Sequence, residues 1–154
     1  MLITPKQKMS KNIKYIILVF SLTIFSCEKN VEKINYNSDV CSHCRMVISD
    51  SKFGAEYITT KGKIYKFDSI ECMAMYLIVG NVKDSEIHSL WFAEFTEPNK
   101  LVNKEKIKIY FSDEISSPMG LSLFASEKTE FENVIKKKEM SWSEVKNFVK
   151  KEWE

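Results

Sequence analysis

The sequence has few of the residues that build disulfide frameworks, haem sites or membrane spans. Its 154 residues include four cysteines, two histidines, three prolines and four glycines. The apolar stretch at residues 15–25 is well short of the ~20 residues of a transmembrane helix. Haem attachment to a CxxC pair needs a histidine directly after the second cysteine, but Arg45 stands there. The sequence therefore predicts no transmembrane anchor and no covalently bound haem.

Grouped catalytic side chains are also missing. No Ser/His/Asp arrangement and no pair of carboxylates stands out in the sequence. We therefore predict that the protein is not an enzyme.

The first 26 residues have the pattern of a bacterial lipoprotein signal peptide. A short apolar core leads to Ser26, a small residue, and Cys27 follows as the predicted site of lipid attachment. We expect a mature protein that begins at Cys27 and is lipid-anchored to a membrane of the bacterial cell envelope, facing the periplasm. The basic residues of the signal are Lys6, Lys8, Lys11 and Lys14.

Removal of this signal changes the charge balance. The whole chain has 23 basic and 21 acidic residues, so the loss of four lysines leaves 19 basic residues and a net charge of −2. No basic surface for nucleic acid is predicted. Residues 27–39 are polar and form the expected lipidated tether, and residues 40–154 form the folded domain, with possible half-domains at 40–86 and 87–154.

Three cysteines remain once Cys27 carries lipid. An odd number cannot form a closed set of disulfides, so at least one thiol is free or bound to metal. In one arrangement Cys41 and Cys44 form a disulfide and Cys72 packs as a core residue, which is the position we favour for Cys72. Structural zinc has weaker support, because no second CxxC or HxxxH pair completes a four-ligand site. Its candidate ligands are Cys41, Cys44, Cys72 and either His43 or His88.

A hairpin and a helix are predicted first. Residues 55–60 and 63–67 are rich in β-branched and aromatic side chains and are joined by a Lys-Gly turn, which predicts a β-hairpin. Asp68 and Glu71 have the spacing of a capping box, so a helix should begin there and end at the following Gly-Asn pair. Met73 lies on the apolar stripe of this helix and is predicted to be core rather than a metal ligand.

The second half of the chain repeats this pattern coarsely. Ser141 and Glu144 form a second capping box, and Trp142, Val145 and Val149 should face inward from the last helix. The fold class is therefore α+β, with two small units that share one compact domain. The other predicted elements are strands at 90–96, 106–111 and 121–125 and a helix in the charged segment 127–138. The first two of these strands should each have one solvent-exposed face.

Sulfur side chains indicate Cu(I). Thiolates and thioethers prefer Cu(I), whereas magnesium and calcium sites gather oxygen ligands. Cys44 and Met46 are two residues apart, so on an extended strand both side chains face the same side and can share an ion. Met119 lies in a Pro-Met-Gly turn rather than on an apolar stripe, so burial explains it less well. His43, inside the motif, is either a ligand or a solvated loop residue.

A CxxC pair can also serve redox chemistry. A thioredoxin-like site places the pair at the start of a helix, but residues 47–49 continue in an extended pattern. A thiol-disulfide protein that uses Cys41 and Cys44 is nevertheless the main alternative to copper binding.

Together these features resemble the NosL-type accessory lipoproteins of nitrous oxide reductase. The resemblance lies in the lipoprotein signal, the Cys41-x-x-Cys44-x-Met46 motif, residues 66–72 and the Pro118-Met119-Gly120 turn. It implies a copper chaperone that delivers Cu(I) to the apoprotein of nitrous oxide reductase, for its copper-sulfur centre, in company with an ABC-type membrane transporter. It also implies two ββαβ-like units, related to the organomercurial lyase arrangement.

The same resemblance implies the ligands. They would be Cys44, Met46 and Met119, with Cys41 as a further candidate. Many members of the family have glycine between the second cysteine and the methionine, where this chain has Arg45. An organomercurial-handling enzyme is a third alternative that rests on fold analogy, which does not establish function. The sequence thus predicts a membrane-anchored Cu(I) chaperone.

Overall fold

The computed structural model describes residues 30–128 and 136–154. The predicted signal peptide, Cys27 and the first residues of the tether lie outside these ranges. Within the described ranges, no helix combines the length and the apolar character needed to cross a membrane.

A four-stranded antiparallel sheet forms the first part of the fold. The predicted hairpin is confirmed, because β1 (Ala55–Thr59) pairs with β2 (Ile64–Phe67), and Gly62 in their turn has a φ of 81°. β3 (Ile87–Ala93) pairs with the other edge of β1, and β4 (Leu101–Asn103) pairs with β3. The strand order is β2-β1-β3-β4.

A three-stranded antiparallel sheet forms the second part. Its central strand is β5 (Lys108–Phe111), with β6 (Leu123–Ser126) on one side and β7 (Lys138–Met140) on the other. A parallel bridge between Glu94 and Ala125 joins the two sheets. One large apolar cluster includes residues of both sheets and both helices, so the α+β prediction of one shared domain is confirmed.

Helix α1 (Ile70–Val79) lies where it was predicted but is capped by a different residue. Ser69 is the N-cap, and its side-chain oxygen accepts a hydrogen bond from the Cys72 N–H at 3.3 Å. The predicted capping box of Asp68 and Glu71 is therefore wrong. The Glu71 side chain is buried and hydrogen-bonds to a distant loop.

Helix α2 (Trp142–Trp153) confirms the second capping box. The Ser141 hydroxyl accepts a hydrogen bond from the Glu144 N–H at 3.3 Å, and the Glu144 carboxylate accepts one from the Ser141 N–H at 2.8 Å. The helix packs against α1. The residues predicted to face inward are Val145 and Val149, which are fully buried, and Trp142, which is half-buried.

Several predicted elements differ from the structure. The strand predicted at 90–96 begins earlier and ends at Ala93, where the chain turns. The exposed face predicted for the strand at 106–111 is confirmed at Lys106 and Lys108 but not at Tyr110, which is buried against Phe124 in a second, smaller apolar cluster. Of the predicted helix 127–138, residues 129–135 lie outside the described ranges, and Lys138 begins strand β7 instead. The first sheet also includes β3 and β4, which lie beyond residue 86, where the first possible half-domain was expected to end. Met73 is fully buried in the core, as predicted.

The end of the predicted tether packs against the first sheet. Ile34 is buried there, and the Glu32 N–H donates a hydrogen bond to the Glu56 carboxylate at 3.0 Å. Lys66, which pairs with Glu56 across β1 and β2, binds Asp39 at 2.9 Å. Glu56 is itself fully buried, and burial raises the pKa of its carboxyl group to about 7.

We expect Glu56 to make the protein less stable as pH rises. The pKa is about 7 in the folded state and 4.5 in the unfolded state, so the folded state holds the proton longer. The free energy of unfolding should therefore fall between these two pH values by up to about 3 kcal/mol, and change little through this group above or below them.

The variant Glu56→Gln removes this ionisation. Its free energy of unfolding in urea, minus that of the wild type, should increase between about pH 5 and about pH 8. Glu152→Gln, on the exposed side of α2, is the control and should leave the pH profile unchanged. A constant difference between Glu56→Gln and wild type over this range would contradict the prediction.

Candidate metal centre

The CxxCxM motif forms a closed loop at one edge of the first sheet. An antiparallel bridge pairs Val40 with Val47, and inside it the Cys41 N–H donates to the Met46 carbonyl at 2.8 Å. The Arg45 N–H donates back to the Cys41 carbonyl at 3.1 Å. This closure requires a φ of 67° at Arg45, in the left-handed region that glycine adopts most easily.

A further hydrogen bond holds this loop against the hairpin, next to the start of α1. The Ser42 N–H donates to the carbonyl of Lys66 on β2 at 2.8 Å. The two residues that follow β2 are Asp68 and the N-cap Ser69, and Cys72 lies in the first turn of α1. The loop and the helix start therefore bring residues that are up to 31 positions apart into one place.

Four side chains meet at this junction. The sulfur atoms of Cys41, Cys44 and Cys72 and one carboxylate oxygen of Asp68 all lie within 4.8 Å of one another. All three cysteines are free thiols. In the part of the chain that the structure describes, no other set of three or more histidine, cysteine or acidic side chains is arranged for a metal ion.

The cluster is closed on the inside and open at one side. Cys41 and Cys72 are 0% exposed and Asp68 is 4% exposed, whereas Cys44 is partly exposed. The Cys44 thiol lies 3.6 Å from Oδ2 of Asp68, to which it donates. The other Asp68 oxygen, Oδ1, is buried without a hydrogen-bond partner. A buried, unpaired carboxylate oxygen is costly, and a bound cation would satisfy it.

The thiols share their protons unequally. A hydrogen bond from the Cys72 thiol lowers the pKa of Cys41 to about 6, and nearby backbone N–H groups act in the same direction. The same bond raises the pKa of Cys72, because that thiol must keep its proton to donate. Burial raises the pKa of Cys44. Of the three thiols, Cys41 is therefore the most readily deprotonated to the thiolate, which is the form that binds metal.

The structure brings the predicted ligands Cys41 and Cys44 together in this group. Met46 closes the loop through its backbone, and its side chain is 56% exposed. Met119 is half-buried in the turn before β6 and packs against the main core. Gly120, which follows it, has a φ of 80°.

Asp68 and Cys72 are not among the predicted copper ligands, although Cys72 is a candidate ligand of the less favoured zinc site. Asp68 was assigned to the helix cap, but Ser69 has that role. Cys72 is buried in the core, as expected, yet its sulfur also faces the other two thiols. The only local signal was that Asp68 and Cys72 lie on either side of the N-cap Ser69, close to the start of α1.

His43 has a structural contact that the sequence did not reveal. Its ring stacks on Trp153 of α2, with centroids 6.1 Å apart and planes 6° from parallel. It does not belong to the group of four side chains above. The half-buried imidazole thus joins the loop of the CxxCxM motif to α2, and burial lowers the pKa of this imidazole.

The fold is similar to a solved structure, that of the copper chaperone NosL from Shewanella denitrificans. The two structures have a TM-score of 0.60 and 16% sequence identity, over 75% of this chain and 95% of that chain. No protein-family model and no curated protein matches the sequence. The structural likeness confirms the fold that the sequence motifs predicted.

The left-handed conformation of Arg45 predicts that glycine fits this position better. Arg45→Gly should have a higher free energy of unfolding than Arg45→Ala, by about 1 kcal/mol, because only glycine adopts this φ without a Cβ clash. The two variants lose the same charge, so comparison of their urea denaturation midpoints isolates the backbone effect. Equal stability, or a more stable alanine variant, would show that the loop does not require this φ.

Proposed function

We propose that this protein is a Cu(I)-binding metallochaperone and not an enzyme. The observation that carries this proposal is the group of three thiols and one carboxylate within 4.8 Å. Its fold is similar to that of a protein described as a copper chaperone, which supports the same conclusion. Copper is the cargo in this proposal, so the site has to release it as well as bind it.

The donor set fits a soft ion. Metal–thiolate bonds of about 2.3 Å place the sulfurs around one ion roughly 4 Å apart, so the observed spread needs only a small contraction. Thiolate sulfur favours Cu(I) over the hard cations that carboxylates and carbonyls bind. The two inner thiols, Cys41 and Cys72, are positioned by the loop and by α1, and both are rigidly buried.

The outer side chains suit transfer. Cys44 is the partly exposed thiol, and Met46 stands beside it at the surface. We assign the thioethers of Met46 and Met119 to weaker, exchangeable contacts with Cu(I), and the thiolate of Cys44 to the point of entry and exit. Before metal binding, Asp68 holds the Cys44 thiol by accepting its hydrogen bond. Once that proton is lost to metal binding, the carboxylate adds negative charge beside the ion.

We further propose that the client is the apoprotein of nitrous oxide reductase and that an ABC-type membrane transporter acts in the same assembly. This rests on the motif resemblance, with the signal-like pattern before Cys27 as support for a lipid anchor at that residue and for a periplasmic position. Radiolabelled palmitate incorporation that is lost in Cys27→Ser would test the anchor. Unchanged labelling of that variant would refute it.

Two other uses of the same cluster make different predictions. Three thiols and a carboxylate can also form a tetrahedral zinc site. A thiol-disulfide protein would instead cycle Cys41 and Cys44 between dithiol and disulfide. A Cu(I) site does not need a hard fourth ligand, and a Cu(I) chaperone does not turn over disulfides. Metal preference and disulfide-exchange activity therefore separate the three functions.

We expect one Cu(I) per protein under anaerobic, reducing conditions. Competition with a chromogenic Cu(I) chelator should show strong binding in the wild type and a loss of at least about tenfold in Cys44→Ser, since a thiolate ligand is removed. Ser42→Ala, in the same loop, is the matched control and should bind as the wild type does. Met119→Leu keeps the side-chain volume and removes the sulfur, so its affinity should also fall.

Three results would contradict this proposal. Stoichiometric Zn(II) binding without Cu(I) binding would favour the zinc site. Catalytic exchange of a model disulfide, lost in Cys41→Ser, would favour the redox protein. Failure of the Cu(I)-loaded protein to load an apo-acceptor would leave a copper-binding protein that is not a chaperone.

A further inference from the structure

The buried carboxylate of Glu71 has no part in the metal cluster, although it stands next to Cys72 in the first turn of α1. It is fully buried, and burial of a carboxylate is unfavourable unless donors compensate for the lost water. Its Oε2 atom has no hydrogen-bond partner. All the long-range contacts of this carboxylate therefore go through Oε1.

That one oxygen binds both ends of a distant loop. The Ser117 hydroxyl donates to Oε1 of Glu71, and the Leu123 N–H donates to the same atom at 3.3 Å. Ser117 and Leu123 are 46 and 52 positions from Glu71. The carboxylate is thus a clamp at the base of the loop, where residues 117 and 123 meet on the helix.

Inner hydrogen bonds give this loop a defined shape. The Ser117 hydroxyl, which donates to Glu71, also accepts from the Ser122 N–H at 3.0 Å. The Gly120 N–H donates to the Ser117 carbonyl at 3.0 Å, which forms a tight turn. Met119 lies inside this turn and is half-buried against the main apolar core of the domain.

We propose that Glu71 is the positioning residue for Met119. Its carboxylate fixes the 117–123 loop to the same helical turn that carries Cys72, so that the thioether and the thiols keep a constant relation. A purely apolar contact would bury the loop but would not fix its register, whereas two donors on one oxygen do. This role deepens the proposed function and rests on it, because it assumes that Met119 contacts the copper ion.

Glu71→Leu and Glu71→Gln test this role. Leucine fills a similar volume without an acceptor, whereas glutamine keeps the amide oxygen that can accept from Ser117 and Leu123. We expect Cu(I) affinity to fall by about 10–100-fold in Glu71→Leu and to stay near the wild-type value in Glu71→Gln. Glu56→Leu, which removes a buried carboxylate elsewhere in the first sheet, is the matched control and should bind Cu(I) normally.

A double-mutant cycle with Met119→Leu separates positioning from general damage. If Glu71 acts through Met119, then Glu71→Leu with Met119→Leu should bind Cu(I) no more weakly than the weaker single variant. If Glu71→Leu fails to fold, Ser117→Ala replaces it in the cycle with a smaller loss. Additive losses, wild-type affinity in Glu71→Leu, or equal losses in the leucine and glutamine variants would each overturn the proposal.

A measurement without copper keeps this test independent of the proposed function. In protein labelled at the methionine methyl groups, the Met119 methyl resonance should move toward its unfolded position in Glu71→Leu but not in Glu71→Gln or Glu56→Leu. A wild-type protein that binds no Cu(I) would refute the proposed function, while the methyl shift would still decide whether Glu71 holds Met119. An unmoved resonance in Glu71→Leu would refute the clamp.

Discussion

The start of helix α1 is the point on which the rest of the site depends. Ser69 caps the helix through its hydroxyl, so neither Asp68 before it nor Glu71 after it is needed for capping. Asp68 can then face the thiols, Cys72 projects toward Cys41, and Glu71 reaches across to the loop that carries Met119. The start of α1 thus brings three segments of the chain together: the loop of the CxxCxM motif, the residues around Ser69 and the loop that carries Met119.

Buried carboxylates are a recurring feature of this small protein, and each has a different degree of compensation. Glu94 is the most completely satisfied: although burial opposes its ionisation, hydrogen bonds from the Glu127 backbone and the Ser126 hydroxyl lower its pKa and join the two sheets. Glu56 and Glu71 each keep one unpaired oxygen, and burial raises the pKa of both. Such groups reduce stability but restrict which packing arrangements are possible.

Local signals in the sequence located the elements whose causes are local. The β1–β2 hairpin depends on the residues of its own strands and turn. Helix α2 begins at a capping box whose two partners, Ser141 and Glu144, are only three positions apart. The short strands β4 and β7 were missed because each has three residues and gains its stability from a neighbour rather than from its own pattern. The burial of Tyr110, on the side of β5 predicted to be exposed, has the same cause, since Phe124 covers this side chain from another strand.

The candidate site divides in the same way. Cys41 and Cys44 lie in one loop, so their spacing alone indicated a shared function. Asp68 and Cys72 join them only because the hairpin folds back and the helix starts at that point, and a sequence pattern does not encode such a meeting. Arg45 is intermediate: its position stood out because the family that the sequence resembles often has glycine there, and the left-handed φ of 67° gives a physical reason for that preference.

The unequal exposure of the three thiols sets a direction for ligand exchange. An incoming thiolate from another protein can approach an ion at this site only past Cys44, because Cys41 and Cys72 are fully buried. The two inner sulfurs would then hold such an ion while the Cys44 thiolate gives way to the incoming ligand. If the site carries an ion as proposed above, access to Cys44 would therefore decide which molecules can take that ion, because the two inner thiols offer no second route.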